Sequence, residues 1–87
     1  MGTLAFTYKG KKYVSKPFDM KAMCLVNEGH NDEDRKGPLM MCIDAVNYMF
    51  EDTDGAAVMS DIRPGTYAKL CTDCWQLYVA ELNAKNE

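Results

Sequence analysis

Apolar and polar side chains alternate along the first residues of the chain. Leu4, Phe6 and Tyr8 fall on one side of an extended backbone, and the residues between them fall on the other. Gly10 follows this run, and its freedom to adopt a positive φ suits a tight turn before a second short strand. The pattern predicts a β-hairpin over residues 3–15. Because a two-stranded hairpin is marginal in water, it must pack on helices or pair with another chain.

Beyond the hairpin, apolar residues recur at helical spacing. Asp19 is a candidate N-cap for the first helix, and Gly29 is a candidate C-terminal stop. The expected fold is one small α+β, mostly helical domain over residues 1–87, in which the hairpin is followed by three to four packed α-helices. The predicted helices cover residues 18–28, 38–51, 56–62 and 65–83.

The second predicted helix is apolar on two sides. One face carries Leu39, Cys42, Ile43, Val46 and Phe50, and Met41, Ala45 and Tyr48 lie near the opposite side. Such a helix is either central in the core or has a second surface for a partner to cover. Met41 and Tyr48 are therefore candidate partner-contact residues. The hairpin edge, with Phe6 and Tyr8, is a second candidate.

Composition narrows the classes of function. The net charge of −3 gives no basic field, so we expect no nucleic-acid binding. No apolar run is long enough for a membrane span, and the N-terminus lacks the features of a signal peptide. We therefore expect a cytoplasmic protein whose four cysteines are reduced.

The pair Cys71-x-x-Cys74 is the most visible candidate for chemistry. A zinc site needs about four ligands, and the remaining candidates, Cys24, Cys42 and His30, supply no second close pair. A thioredoxin-like motif needs a βαβ context, whereas this pair falls inside a predicted helix. On that helix both cysteines share one direction with a tyrosine, which predicts burial as small apolar residues.

Two acidic patterns also invite a chemical interpretation. The segment Asp52-x-Asp54-Gly55 partly matches a calcium-binding loop, but the positions that would be first and ninth are Phe50 and Val58. The acidic clusters lack the concentrated polar pocket of an acid–base enzyme, and the chain has a single histidine. We expect no catalytic residues, no metal, no cofactor and no small-molecule substrate.

Four motifs, taken in order, carry a family resemblance. They are F-x-Y-x-G-K-x-Y over 6–13, F-D-x-x-A-x-C-L-x-N over 18–27, V-x-Y-M-F-E-D-T over 46–53 and L-C-x-x-C-W-x-x-Y over 70–78, before an A-K-N-E tail. Together they span nearly the whole chain. This arrangement resembles the small tail assembly chaperones encoded by long-tailed phages and prophages of Gram-positive bacteria.

The resemblance implies a non-enzymatic helical protein that binds the tape measure protein in the host bacterial cytoplasm. It also implies self-association into a homo-oligomer and absence from the mature virion. The family often makes a longer product by frameshifting, and Lys85-Asn86 is compatible with a slippery AAA AAC codon pair. Two alternatives stay open: a metal or redox module using Cys71 and Cys74 with Cys24 or Cys42, and a regulatory interaction module of a prophage.

Overall fold

The computed structural model describes residues 2–84, so Lys85 and Asn86 of the frameshift hypothesis lie outside the described residues. The fold class is confirmed, because an N-terminal antiparallel hairpin precedes a compact set of helices. In chain order the elements are β1 Ala5–Tyr8, β2 Lys11–Val14, α1 Met20–His30, α2 Gly37–Phe50, a 3-10 helix Asp54–Asp61 and α3 Pro64–Ala84. No helix within residues 2–84 is both long and apolar enough to cross a membrane.

The hairpin packs on the core of its own chain. Phe6 is buried and its ring stacks on Tyr13 at 5.3 Å between centroids, with Phe50 of α2 at 5.2 Å on another side. Ser15 joins the two strands at the end opposite the turn. Its hydroxyl accepts a hydrogen bond from the Leu4 N–H and donates one to the carbonyl of the next residue, both at 2.7 Å. Intramolecular packing therefore stabilises a hairpin that would be marginal alone.

Helix α1 begins two residues later than its pattern predicted. Asp19 is extended and its carboxylate accepts the Ala22 N–H at 3.0 Å, which confirms it as the N-cap. Phe18, the predicted first residue, precedes this cap and is buried in the core. The predicted stop at Gly29 is wrong, because α1 runs through Gly29 to His30. Gly29 serves helix packing instead, since a Cβ there would come within 3.0 Å of the Met41 backbone in α2.

Helix α2 is the central element, with α1 packed on one side and α3 on the other. This position explains its two apolar sides without any partner. Its fully buried residues come from both sides: Cys42, Ala45, Val46, Met49 and Phe50. Leu39, predicted for the core face, is 47% exposed at the first turn of α2.

The segment between α2 and α3 is a 3-10 helix, Asp54–Asp61, where the pattern predicted an α-helix over 56–62. Helix α3 follows and buries Cys71, Cys74 and Tyr78, as their shared direction predicted, together with Leu70. The Tyr78 hydroxyl donates to Asn27 Oδ1 of α1 at 3.2 Å. With 21 residues against 11 and 14, α3 is the longest helix. Near its end Leu82 is 43% exposed.

Candidate functional site

The two predicted contact residues on α2 lie on the side that α1 covers. Met41 is partly buried where its backbone meets Gly29. Tyr48 is also partly buried, and its hydroxyl donates to Asp19 Oδ2 at 2.5 Å. This bond raises the pKa of Tyr48 and lowers that of Asp19, since it stabilises the carboxylate. Both side chains support the α1–α2 interface, and their partner-binding role stays a prediction.

The two predicted contact residues on the hairpin differ in exposure. Phe6 is 6% exposed and has its ring packed between Tyr13 and Phe50. Tyr8 is half-buried, with the Lys9 ammonium 5.4 Å from its ring centroid. The structure therefore does not bring the four predicted residues together on one open surface, and partner binding by the hairpin stays a prediction.

An open apolar groove lies instead between the first turns of α2 and α3. Its volume is about 440 Å³ and its lining is almost entirely carbon. Next to Leu39 on α2, Met40 is 45% exposed, so the apolar surface continues beyond the groove. The lining residues are Leu39, Ile43, Pro64, Tyr67, Ala68 and Cys71.

Tyr67 fixes one wall of this groove. Its hydroxyl donates to Asn47 Oδ1 at 2.8 Å, and the Ile43 carbonyl oxygen lies 3.4 Å away. Burial raises the pKa of Tyr67 to about 12, so the phenol is neutral at physiological pH. A neutral donor that binds α2 from α3 holds the two helices at a fixed separation along the groove.

Sequence reasoning missed this groove because Leu39 and Ile43 share the helical face of buried residues. A helical wheel gives the direction of a side chain but not the place where the neighbouring helix ends. The Arg63-Pro64 break before α3 was the available signal, because it marks where cover for the start of α2 can stop.

Three cysteines meet in the core beside the groove. Cys42, Cys71 and Cys74 are each at most 1% exposed, which confirms the predicted burial of the Cys71-x-x-Cys74 pair. The Cys42 and Cys74 thiols interact across the α2–α3 interface, which raises the pKa of Cys74 and lowers that of Cys42. Burial raises the pKa of Cys71 to about 11. Thiols in this setting pack as small apolar groups.

The described residues offer no arrangement typical of a metal site. Cys24 is exposed on α1, and His30 at the end of that helix lies beside Trp75, 5.9 Å between ring centroids. Within residues 2–84 no group of three or more His, Cys, Asp or Glu side chains is placed to hold a metal ion. The segment that partly matches a calcium loop begins at Phe50, which is fully buried, and continues as the 3-10 helix.

Comparison with known proteins identifies no relative. No family model, curated protein or solved structure matches the chain. The function therefore has to be argued from the residues, the motifs and the geometry of the surface.

Proposed function

We propose that this chain is a tail assembly chaperone-like protein of a phage or prophage, which binds the tape measure protein during tail morphogenesis. In this proposal it is non-enzymatic, acts in the host bacterial cytoplasm, self-associates and is not retained in the mature virion. Two features support the proposal. One is the ordered set of motifs between Phe6 and Tyr78, and the other is the apolar groove between α2 and α3.

The groove is the observation that carries the binding mode. An apolar groove bounded by two helices is a common receptor for the apolar face of a third helix, which inserts side chains from successive turns. Tape measure proteins are expected to be largely helical, so they offer such a face repeatedly. Leu39, which lines the groove, and Met40, which follows it on α2, are about half exposed, and a helix that covers both would remove their remaining surface from water.

The energy available at one groove is modest. Full burial of a Leu or Met side chain is worth about 1.5–3 kcal/mol, so half-exposed Leu39 and Met40 contribute roughly 1.5–3 kcal/mol together if the partner covers both. A single contact of this strength is weak after the entropy cost of association. A long partner that binds many copies compensates, because each further contact on one molecule has a high effective concentration. This is the stoichiometry expected for a protein that coats a tape measure.

The test is co-expression of the chain with the tape measure protein of a long-tailed phage, followed by co-purification. Leu39→Glu places a charge on the groove rim, and we expect it to reduce capture at least about tenfold because an unpaired buried charge is costly. Val79→Glu is the matched control, since Val79 is exposed on α3 but does not line the groove. Equal capture by both folded variants would remove the groove as the site.

A second candidate function follows from the thiol cluster. Cys42, Cys71 and Cys74 lie together in the core as the thiols that a redox module would use, although within residues 2–84 they are not placed to hold a metal ion. Elemental analysis of purified protein separates this candidate from the first. One equivalent of zinc that is lost in a Cys71→Ala variant would favour the metal module. If no neighbouring gene encodes a long helical protein, the prophage regulatory interaction module would be favoured instead.

A further inference from the structure

The turn of the hairpin has a lysine in an unusual backbone conformation. Lys9 and Gly10 connect Tyr8 of β1 to Lys11 of β2, and both have positive φ, 51° and 79°. Two-residue turns with positive φ at both positions strongly prefer Asn-Gly, because a longer side chain is strained there. Compared with asparagine, a lysine at this position makes the turn less stable and adds a positive charge. Such a local outlier is a reason to look for a function of the charge.

The three lysines at this tip are exposed and have no acidic partner within the described part of the chain. We call Lys9, Lys11 and Lys12 the basic tip. The ion pairs within residues 2–84 involve Arg35 and Lys69, and none involves the basic tip. Asp61 faces Lys9 across a shallow depression, but Arg63 lies beside it and offsets its charge.

Two of the tip ammonium groups lie over tyrosine rings of the hairpin. The Lys9 ammonium lies 5.4 Å from the Tyr8 ring centroid, and the Lys11 ammonium lies 5.0 Å from that of Tyr13. Tyr13 in turn stacks on buried Phe6. Cation–π contacts of this kind limit the positions that the ammonium groups sample. Less ordering entropy is then lost when a partner binds.

We propose that the basic tip is a docking surface for an acidic polypeptide segment. Charge complementarity identifies this partner, since five lysines and one aspartate occupy residues 1–21 of a chain that is acidic overall. Nucleic acid fits less well. The three cations of the basic tip are lysines, whereas arginine is the residue suited to bidentate phosphate contacts, and Arg63 in the adjoining depression lies beside Asp61. The tyrosine rings are also engaged by lysine and by Phe6, so they offer no free stacking platform for bases.

This surface is separate from the groove, and the inference holds whatever protein the groove binds. The hairpin is joined to the C-terminal end of α2, where the Lys16 N–H donates to the Met49 carbonyl at 2.9 Å. Leu39 lies near the other end of that helix, whose 14 residues span roughly 20 Å. At the start of α3 the two surfaces are neighbours, since Lys9 lines a depression with Arg63 and Thr66 while Pro64 and Tyr67 line the groove, but no residue lines both. The two proposals are tested with different probes and different variants, so they can fail independently.

The experiment measures binding of a fluorescein-labelled oligoglutamate peptide by fluorescence anisotropy at low and high NaCl. Lys9→Asn is the informative variant, because it relaxes the turn while removing one charge. We expect its thermal midpoint to rise and its affinity to fall about two- to fivefold, the range for one exposed charge pair. The triple variant Lys9→Glu, Lys11→Glu, Lys12→Glu is expected to lose binding, and high salt is expected to do the same.

Lys36→Asn is the matched control, since Lys36 is an exposed lysine immediately before α2 and does not line the depression at the basic tip. It removes the same charge and should leave the affinity unchanged. The proposal is overturned if the wild-type chain does not bind oligoglutamate at low salt, or if Lys36→Asn weakens binding as much as Lys9→Asn. Tighter binding of a single-stranded oligonucleotide than of oligoglutamate would also overturn it and assign the tip to nucleic acid. Circular dichroism of each variant confirms that the fold is intact.

Discussion

Replacing Gly29 by alanine tests how closely α1 and α2 pack. Gly29 is buried near the end of α1, opposite Met41 of α2. An added Cβ would lie 3.0 Å from both the Cα and the carbonyl carbon of Met41, and closer still to its carbonyl oxygen. These are backbone atoms of a packed helix, so they cannot rotate away as a side chain would. The substitution therefore forces α1 and α2 apart.

Two opposing effects set the size of the change. Alanine in place of a helix-interior glycine is favourable by about 0.5–1 kcal/mol, because it reduces the conformational freedom of the unfolded chain. Overpacking of a close interface costs about 1–3 kcal/mol, and contact with backbone atoms favours the upper end of that range. The net expectation is a loss of about 2 kcal/mol. For a domain of this size that corresponds to a fall in Tm of roughly 8–16 °C.

The assay is thermal and urea unfolding followed by circular dichroism, with Gly65→Ala as the control. Gly65 is exposed in the first turn of α3, and a Cβ there meets no atom within 4 Å. This control should be neutral or more stable by up to about 1 kcal/mol, since only the propensity effect operates. A Gly29→Ala protein as stable as the wild type would show that the helices do not cross at backbone contact.

Two further predictions concern the N-cap and the core. The hydrogen bonds from Tyr48 and Ala22 lower the pKa of Asp19 in the folded state. Its carboxylate therefore stabilises the fold at pH values above the unfolded-state pKa, and this contribution is lost as the pH falls through the lower folded-state pKa. Asp19→Asn should remove that component from urea-unfolding stability measured against pH, and an unchanged acid profile would contradict the assignment. Cys74→Ala should cost roughly 1–2 kcal/mol through loss of packing in a fully buried site, while elemental analysis shows no change in zinc. A variant of wild-type stability would mean that the α2–α3 interface is looser than described.

Local patterns were sufficient to predict most of the elements. Alternation identified the hairpin, and the helical stripe of α3 identified the buried Cys71, Cys74 and Tyr78. Gly29 shows the limit of such patterns, because glycine suits both a helix stop and a close helix crossing. Only the position of α2 decides between them. The two apolar sides of α2 were ambiguous for the same reason, and the structure resolves that ambiguity in favour of a central helix.

The apolar groove could not be predicted from the sequence. Leu39 has the periodicity of a core residue, yet it is half exposed because the helices around it leave the first turn of α2 partly uncovered. Where packing stops depends on the lengths and directions of three helices, which no local pattern contains. The conformation of Lys9 is likewise invisible in a lysine-rich turn until its φ is known.

The hydrogen bond from the Lys16 N–H to the Met49 carbonyl has a consequence for cooperativity. It is made by the chain just after β2, and it satisfies a carbonyl in the last turn of α2, where helices otherwise leave such groups unpaired. The Ser15 hydroxyl ties the same point to β1 through the Leu4 N–H. Opening the hairpin therefore exposes the end of the central helix to water. We therefore expect the N-terminal strands and α2 to unfold as one unit, although more than thirty residues separate Ser15 from Met49 along the chain.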